Sequence, residues 1–329
     1  MSQLKKLRKS IKYLLIIALI QVILFMVKIF PWPWTSFICG QMGKLAFYVV
    51  KGERIRTIKN LAVAYGAEKS ESEIREMAKE VFENLGRSAA EAAIKLKLTD
   101  KEKYFSNVEV VGLEHAQAAF QRGKGVLNII PHMGCWEAAS KAYQFLGFPA
   151  GAVAKPLKNE RLNNWVMKNR STNGFKIFPR GTTYKTLLMH LKDNNSLGML
   201  MDQDTSVKGV FAEFYGKPAY TSIGTAMLAL DADASVLVAI YIRDKGHKFK
   251  FVFDKPMEVI RTGDRKEELQ LNTEQFQKAV EKQIKNYPTQ WTWMHERWKT
   301  TPDMIEAAER EKMRQRKQRK EVRLRDGID

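Results

Sequence analysis

The sequence predicts an α/β domain, a mixed central sheet flanked by helices, and three observations predict it. A short, wholly buried-type run, Gly125 to Ile130, is stopped by Pro131 and followed from Gly134 to Phe145 by a helical apolar pattern. Ser70-Glu71-Ser72-Glu73 reads as a capping box ahead of a long amphipathic helix. Strand-like and helix-like segments then alternate through the rest of the chain. No composition break divides the 329 residues, so one main domain with two appendages is expected. The basic flank and N-terminal apolar segment form residues 1–35, the main domain 36–301 and a basic tail 302–329.

Lys5, Lys6, Arg8, Lys9 and Lys12 precede a run from Tyr13 to Val27 that is apolar apart from Gln21, and Phe30, Trp32 and Trp34 follow as an aromatic belt. Counted to Phe30, this is roughly 27 Å of helix, short for a bilayer span, with Lys28 able to snorkel. A signal peptide shares the basic flank and apolar core, but Phe30-Pro31-Trp32-Pro33-Trp34 stands where a small-residue cleavage site belongs. The expectation is a membrane-anchoring helix. A full span would leave the rest of the chain outside, because basic flanks stay inside; a tilted helix entering one leaflet keeps it inside.

Behind the capping box, Ile74, Met77, Val81, Leu85 and Ala89 recur at helical spacing and carry the helix to about Leu96. Further strands are expected at Leu197 to Met201, Val236 to Arg243 and Phe249 to Phe253. Helices are expected at Arg161 to Asn169, Thr183 to Lys192, Ser222 to Leu230 and Thr273 to Tyr287. Residues 310 to 325 carry nine Lys or Arg against two Glu and little to bury, which reads as a solvated helix or disorder with affinity for anionic surfaces.

With 55 Lys and Arg against 36 Asp and Glu, the net charge of +19 predicts an anionic partner without choosing it. A nucleic-acid module would interleave aromatic and basic residues in a recognisable pattern, and none is present. Cys39 and Cys135 supply neither a disulfide framework nor zinc-ligand spacing, so no metal is expected. No Gly-x-Ser-x-Gly elbow marks a serine hydrolase.

The chemistry concentrates in Pro131-His132-Met133-Gly134-Cys135-Trp136-Glu137. A His at the carboxyl end of a buried strand, where a helix begins, lies in the crevice at which open α/β sheets bind ligands. Glu137, five residues on in the first helical turn, is able to turn back onto one ring nitrogen and leave the other to take a proton from a hydroxyl. None of His115, His190, His247 and His295 has an acid at that spacing. The bland reading stands beside this one: the helix dipole favours Glu in a first turn, and a lone His is usually structural.

Several segments in order resemble one known family. They are Arg56-Thr57-Ile58-Lys59-Asn60-Leu61; His132 through Glu137; Trp165 to Arg170 with Gly174 and Arg180-Gly181; Gly198 through Asp204; Val210-Phe211, Phe214-Tyr215-Gly216 and Pro218; and Trp291 through Lys299. From about Arg54 to Thr301 the chain resembles the bacterial lipid A biosynthesis acyltransferases, the late lauroyl and myristoyl transferases, within the superfamily whose motif is His-x4-Asp/Glu. The Pro-Glu-Gly-Thr-Arg block of the glycerophospholipid branch is missing; Pro179-Arg180-Gly181-Thr182 has its shape without the acid.

The resemblance implies a glycerolipid-acyltransferase-like fold. It also implies transfer of a fatty acyl group from acyl carrier protein to a hydroxyl of a lipid A precursor, at the cytoplasmic face of the bacterial inner membrane, with no acyl-enzyme and no cofactor. His132 would be the general base and Glu137 its orienting partner. Arg170 is carried over as a substrate contact, since a guanidinium holds a phosphate or a developing oxyanion; on the residues alone it is equally a helix-end Arg in solvent. Asp202, Gln203 and Asp204 are candidate substrate-binding residues or a structural turn. Acyl carrier protein, a glycolipid acceptor and an anionic phospholipid surface are the implied partners, and the basic charge suits all three. Trp291 to Trp298 is expected to pack in the core. Other readings keep the site and change the acceptor, to a mannosylated phosphatidylinositol or to water in a membrane-bound thioesterase.

Overall fold

The computed structural model describes residues 29–154 and 175–325 without a break, together with residues 18, 21–23, 25, 26, 160, 163, 164 and 167. Three helices lead: α1 (Trp32–Val49), α2 (Lys51–Tyr65) and α3 (Glu71–Lys95). Pro33 sits in the first turn of α1, where a missing N–H costs no hydrogen bond. The α1 and α3 backbones nearly touch, and glycine makes that possible: a Cβ on Gly86 would fall 2.1 Å from the Cys39 carbonyl oxygen, and one on Gly43 2.2 Å from that of Phe82. The capping box forms as expected, with Ser70 and Glu73 each satisfying the other's backbone N–H.

The remaining elements are α4 (Lys101–Phe105), β1 (Val108–Val111), α5 (Leu113–Gln121), β2 (Val126–Ile129), α6 (Trp136–Leu146), β3 (Ala150–Ala154), β4 (Lys176–Pro179), α7 (Tyr184–Lys192) and β5 (Ser196–Met199). The hairpin β6 (Gly209–Phe214) and β7 (Lys217–Ser222) follows, then α8 (Gly224–Ala232), β8 (Ser235–Arg243), β9 (Phe249–Phe253), α9 (Arg265–Asn286), a single 3₁₀ turn (Pro288–Gln290) and α10 (Pro302–Arg325). The sheet has seven strands in the order β1-β9-β8-β2-β5-β3-β4, all neighbours parallel except β8 and β9.

Strand β2 lies mid-sheet between β8 and β5, so every one of its residues is buried, and that is why its sequence reads as a continuous run rather than an alternating one. Leu127 and Ile129 join Val236, Val238, Phe276, Val280 and Ile284 in the core on the α9 side. Val126 and Ile130 join Leu237, Ala239, Tyr241 and the α6 residues Ala138, Ala139, Ala142 and Tyr143 on the other. Trp291 and Trp293 belong to the first core, fully buried, as expected of that cluster.

The expected strand Phe249–Phe253 and the strands and helices around β2, β5, β8, α7 and α8 appear within a residue or two of their predicted places. Helix α9 instead starts at Arg265, well before Thr273, because Asp264 caps it by accepting from the Lys266 and Glu267 N–H groups. The boundary placed after residue 35 falls inside α1, whose glycine-mediated packing on α3 makes it part of the main body. The expected helix Arg161 to Asn169 lies largely outside the described residues, as do most of Tyr13 to Val27.

Among the described residues no helix is long and apolar enough to cross a membrane. Those helices do present apolar side chains to solvent: Phe25, Ile29, Trp34, Phe37, Leu45, Tyr48, Val49 and Ile55 are exposed. The basic tail forms the exposed helix α10.

One buried ion pair fastens α3 to the sheet. Arg243 at the end of β8 donates from Nε and Nη2 to the two carboxylate oxygens of Glu91, 2.7 Å each, and from Nη1 to Asn84 Oδ1 at 2.6 Å. Ser36 of α1 adds a 3.0 Å bond to Glu91, and Gln290 bonds both backbone groups of Arg243. Glu91→Ala leaves the guanidinium buried without its charge partner, so a loss of about 3–5 kcal/mol in unfolding free energy is expected from urea denaturation. A loss under about 1 kcal/mol would show that the pair does not hold the layers together.

Candidate active site

His132 follows β2 by three residues, beyond Ile130 and Pro131, and both its backbone and its ring are tied down. The ring Nδ1 is 2.8 Å from Asp202 Oδ1, and the His132 backbone N–H donates to Asp202 Oδ2 at 2.7 Å. Asp202 itself is fully buried just beyond β5, the strand next to β2, and accepts a third hydrogen bond, 2.7 Å, from the Trp291 indole N–H. Thr292 closes the loop by donating its N–H and its hydroxyl to the His132 carbonyl, at 3.0 and 2.7 Å. Next in sequence, Gly134 takes φ +55°, and a Cβ there would fall 2.2 Å from the Tyr241 carbonyl oxygen. Only glycine lets this turn lie against β8.

The electrostatics follow from that packing. Burial alone would push the Asp202 carboxyl up, but the charge and hydrogen bonds of His132 and the Trp291 donor outweigh it and hold the group well below the usual carboxylate range. For His132, burial pulls the imidazole down, yet the Asp202 charge and hydrogen bond, with the Glu137 charge behind them, raise it above its ordinary 6.5. Because Asp202 occupies Nδ1, Nε2 is the basic nitrogen.

Glu137 is expected to hold one ring nitrogen; the hydrogen bond on Nδ1 is made by Asp202. Glu137 acts on the imidazole through its charge and lines the cavity beside it. The reason is geometric: the first turn of α6 runs on from Cys135, whereas β5 ends alongside β2 and delivers Asp202 to the ring. Of the other candidates, Gln203 donates from Nε2 to His295 Nε2 at 2.6 Å, and Asp204 accepts from the Thr300 N–H and hydroxyl at 3.2 and 3.0 Å. Arg170 lies outside the described residues.

His295 is a participant that the motif reading passed over. Its ring centroid is 5.4 Å from that of His132, and burial together with the neighbouring imidazole lowers it to about 4, so it stays neutral and can accept from Gln203. Asn60 of α2 holds the same loop by donating to the Trp293 and His295 carbonyls at 2.7 Å each, and Arg56 donates to that of Met294. Trp291 belongs to the core, as its sequence predicts; the signal for its second role is that a buried indole N–H needs an acceptor.

The imidazole helps to line a cavity of about 790 Å³ that is also lined by residues of α6 and of strands β2, β5, β3 and β4. Register explains the space. Asn128 of β2, Gly198 of β5 and Ala152 of β3 form one row across the sheet, with Val126, Ser196 and Ala150 in the next. The side chains on β5 and β3 are thus small or missing, and α6 faces them with Ala139 and Ser140. The cavity is mostly apolar, and the His132 imidazole is part of its lining.

Against known proteins, residues 1–300 match the family described as bacterial lipid A biosynthesis acyltransferase. The chain belongs to that family. It is 26% identical over 277 residues to the lipid A biosynthesis palmitoleoyltransferase of Escherichia coli, covering 83% of this chain and 87% of that protein. The lauroyltransferase of the same organism is 25% identical over 285 residues, 86% of this chain and 91% of that protein. A phosphatidylinositol mannoside acyltransferase of Mycolicibacterium smegmatis is 26% identical over 148 residues, 44% of this chain, and the match spans about half, 49%, of that protein. Membership places the chain among O-acyltransferases.

An imidazole whose affinity for protons is raised by a buried carboxylate accepts a proton only in its neutral form. Activity is therefore expected to fall on the acid side with an apparent pKa above 6.5. Asp202→Asn removes the charge that raises the imidazole, so the acid limb of kcat/KM should move to lower pH while the plateau drops at least about a hundredfold. A limb that stays in place would detach Asp202 from the titrating group.

Proposed function

We propose that the protein transfers a fatty acyl group from acyl carrier protein to a hydroxyl of a lipid A precursor, at the cytoplasmic face of the bacterial inner membrane. The observation that carries this reading is that His132, held on Asp202, lines a large and mostly apolar cavity shared by α6 and the sheet. Family membership agrees with the reaction, and the lipid A transferases of Escherichia coli match most of the chain.

In this reading the acyl chain of the donor lies in the cavity and its thioester carbonyl stands beside His132. The acceptor O–H gives its proton to His132 Nε2 as its oxygen attacks the carbonyl carbon. The tetrahedral adduct collapses, the C–S bond breaks, and the departing thiolate takes the proton back from the imidazolium. Asp202 stabilises that imidazolium and fixes the tautomer; Glu137 adds negative charge in the same cavity. A thioester is already activated, so alignment and deprotonation account for most of the work and neither an acyl-enzyme nor a cofactor is needed.

Several features support the placement. The exposed apolar side chains of α1 give a surface that suits a lipid interface, and the apolar run Tyr13 to Val27 ahead of them in the sequence is proposed as an anchor. The net charge of +19 suits an acidic carrier protein, a phosphorylated acceptor and anionic phospholipid. Arg170 keeps its role as a contact for phosphate or oxyanion. The similarity to phosphatidylinositol mannoside acyltransferases favours a second acceptor, a mannosylated phosphatidylinositol, with the same donor chemistry.

Labelled acyl carrier protein incubated with a purified lipid A precursor tests the reading. Wild type should form acylated product, and His132→Ala and Glu137→Ala should each lose at least about a hundredfold. Transfer indifferent to His132 would remove the base from its role. Product only with the mannosylated acceptor, or loss of acyl groups to water alone, would keep the site and change the acceptor.

A further inference from the structure

A second cavity, of about 610 Å³, is lined by residues of α2, by the start of β7 and by the segment that follows His295. Its charged lining consists of four cations, Arg56, Lys59, Lys217 and Lys299, and one carboxylate, Glu296. Arg56 Nη2 and Lys299 Nζ both stand against Glu296, at 3.4 and 3.6 Å. Lys59 follows Arg56 by three residues on α2, so the two share one face of that helix. Lys217 pairs with Phe214 across the β6–β7 hairpin, and the Phe214 carbonyl accepts the Trp298 indole N–H at 3.3 Å, which ties the hairpin end to the residue before Lys299.

Glu296 is shared by two of these cations, while Lys59 and Lys217 have no ion pair among the described residues. The excess of positive charge suits a phosphate group, which carries about −1.5 to −2 as a monoester and accepts hydrogen bonds from guanidinium and ammonium alike. The rest of the lining bears on what the phosphate is attached to. Ile55 and Val63 of α2 give the cavity an apolar share, and Ile55 is exposed, as are Leu45, Tyr48 and Val49 in the last part of α1. A lipid with a phosphorylated headgroup uses both features, whereas a free anion or a purely acidic surface would leave Ile55 facing water.

Hydrogen bonds join this cavity to the one that His132 lines. Gln203 and Asp204 line the His132 cavity; Gln203 bonds to His295, the residue before Glu296, and Asp204 accepts from Thr300, which lines the second cavity. Asn60, also in the second lining, donates to the His295 carbonyl. We propose, resting on the acyl-transfer reading above, that Arg56, Lys59, Lys217 and Lys299 hold the phosphate of the acceptor lipid. The acyl chain of the donor and the phosphate of the acceptor then occupy separate cavities connected through one hydrogen-bonded loop, and preference for a phosphorylated acceptor rests on residues that take no part in proton transfer.

The full chain is assayed for transfer to a phosphorylated lipid A precursor and to the same precursor after phosphatase treatment, with KM measured for acceptor and for acyl carrier protein donor. Lys59→Gln combined with Lys217→Gln removes two exposed charges, and Lys101→Gln combined with Lys103→Gln removes the same charge from α4, outside the cavity lining. The first pair should raise KM for the phosphorylated acceptor at least about tenfold with kcat within about twofold, and leave KM for the dephosphorylated acceptor unchanged; Lys59→Arg with Lys217→Arg should keep the wild-type KM. An equal rise with the α4 pair would assign the effect to net charge and overturn the proposal. An unchanged KM for the phosphorylated acceptor, or a rise confined to KM for acyl carrier protein, would overturn it as well. Isothermal titration with dioctanoyl phosphatidic acid below its micellar concentration reads the site without transfer: the Lys59 and Lys217 glutamine pair should weaken binding at least about tenfold. Inorganic phosphate bound as tightly as that lipid would make this a site for the free ion and count against the proposal. If wild type acylates neither acceptor while the binding difference holds, the acyl-transfer reading falls and the lipid-phosphate site stands; product formed with neither a KM change nor a binding difference sinks the proposal alone.

Discussion

The carboxylate of Asp202 is the constraint on which the rest of the site depends. A fully buried negative charge is tolerable only if its lone pairs are met, and here they are met by the His132 backbone N–H, the His132 ring and the Trp291 indole. Satisfying that one group brings the ends of β2 and β5 and the loop after α9 to a single point. The same arrangement sets the imidazole rotamer and tautomer, so burying the charge and orienting the ring are met together. Thr292, which holds the His132 carbonyl, and Asn60, which holds the carbonyls of Trp293 and His295, keep that loop from moving away.

What was legible in the chain follows from how local each signal is. The β2-turn-α6 unit could be read because a central parallel strand has to be apolar on both faces and because Pro131 and Gly134 punctuate it. The capping box of α3 is a four-residue signal and formed as read. The β6–β7 hairpin was not read as one, although Tyr215-Gly216 is its turn: both residues have positive φ, 50° and 70°, which suits a type I′ turn, but a tyrosine there disguises the signal that Asn would give. Strands β1, β3 and β4 are four or five residues long, and the Ala-Gly-Ala-Val-Ala sequence of β3 has little strand preference; its partners in the sheet decide it.

The site shows the same division. His132 was found from its place at a strand end, and Glu137 was assigned the ring because it is near in sequence. The partner on Nδ1 comes from 70 residues away, because adjacent parallel strands end side by side however far apart they lie in the chain. The Gly198–Asp204 segment had already marked Asp202 as a candidate, without saying what it would touch. The indole that completes the carboxylate is more remote still, and nothing within a window around His132 points to Trp291.

These separations bear on how the protein is made. The loop that supplies Trp291 and Thr292 lies near the end of the main body, and its bonds to Asp202 and His132 span 89 and 160 residues. Contacts of that range close late in folding, after the local helices and hairpins. On the ribosome, the strand bearing His132 and the one bearing Asp202 emerge long before the indole that finishes their pairing. A growing or prematurely ended chain therefore carries the His132 imidazole without its settled geometry, which arrives only with the loop after α9.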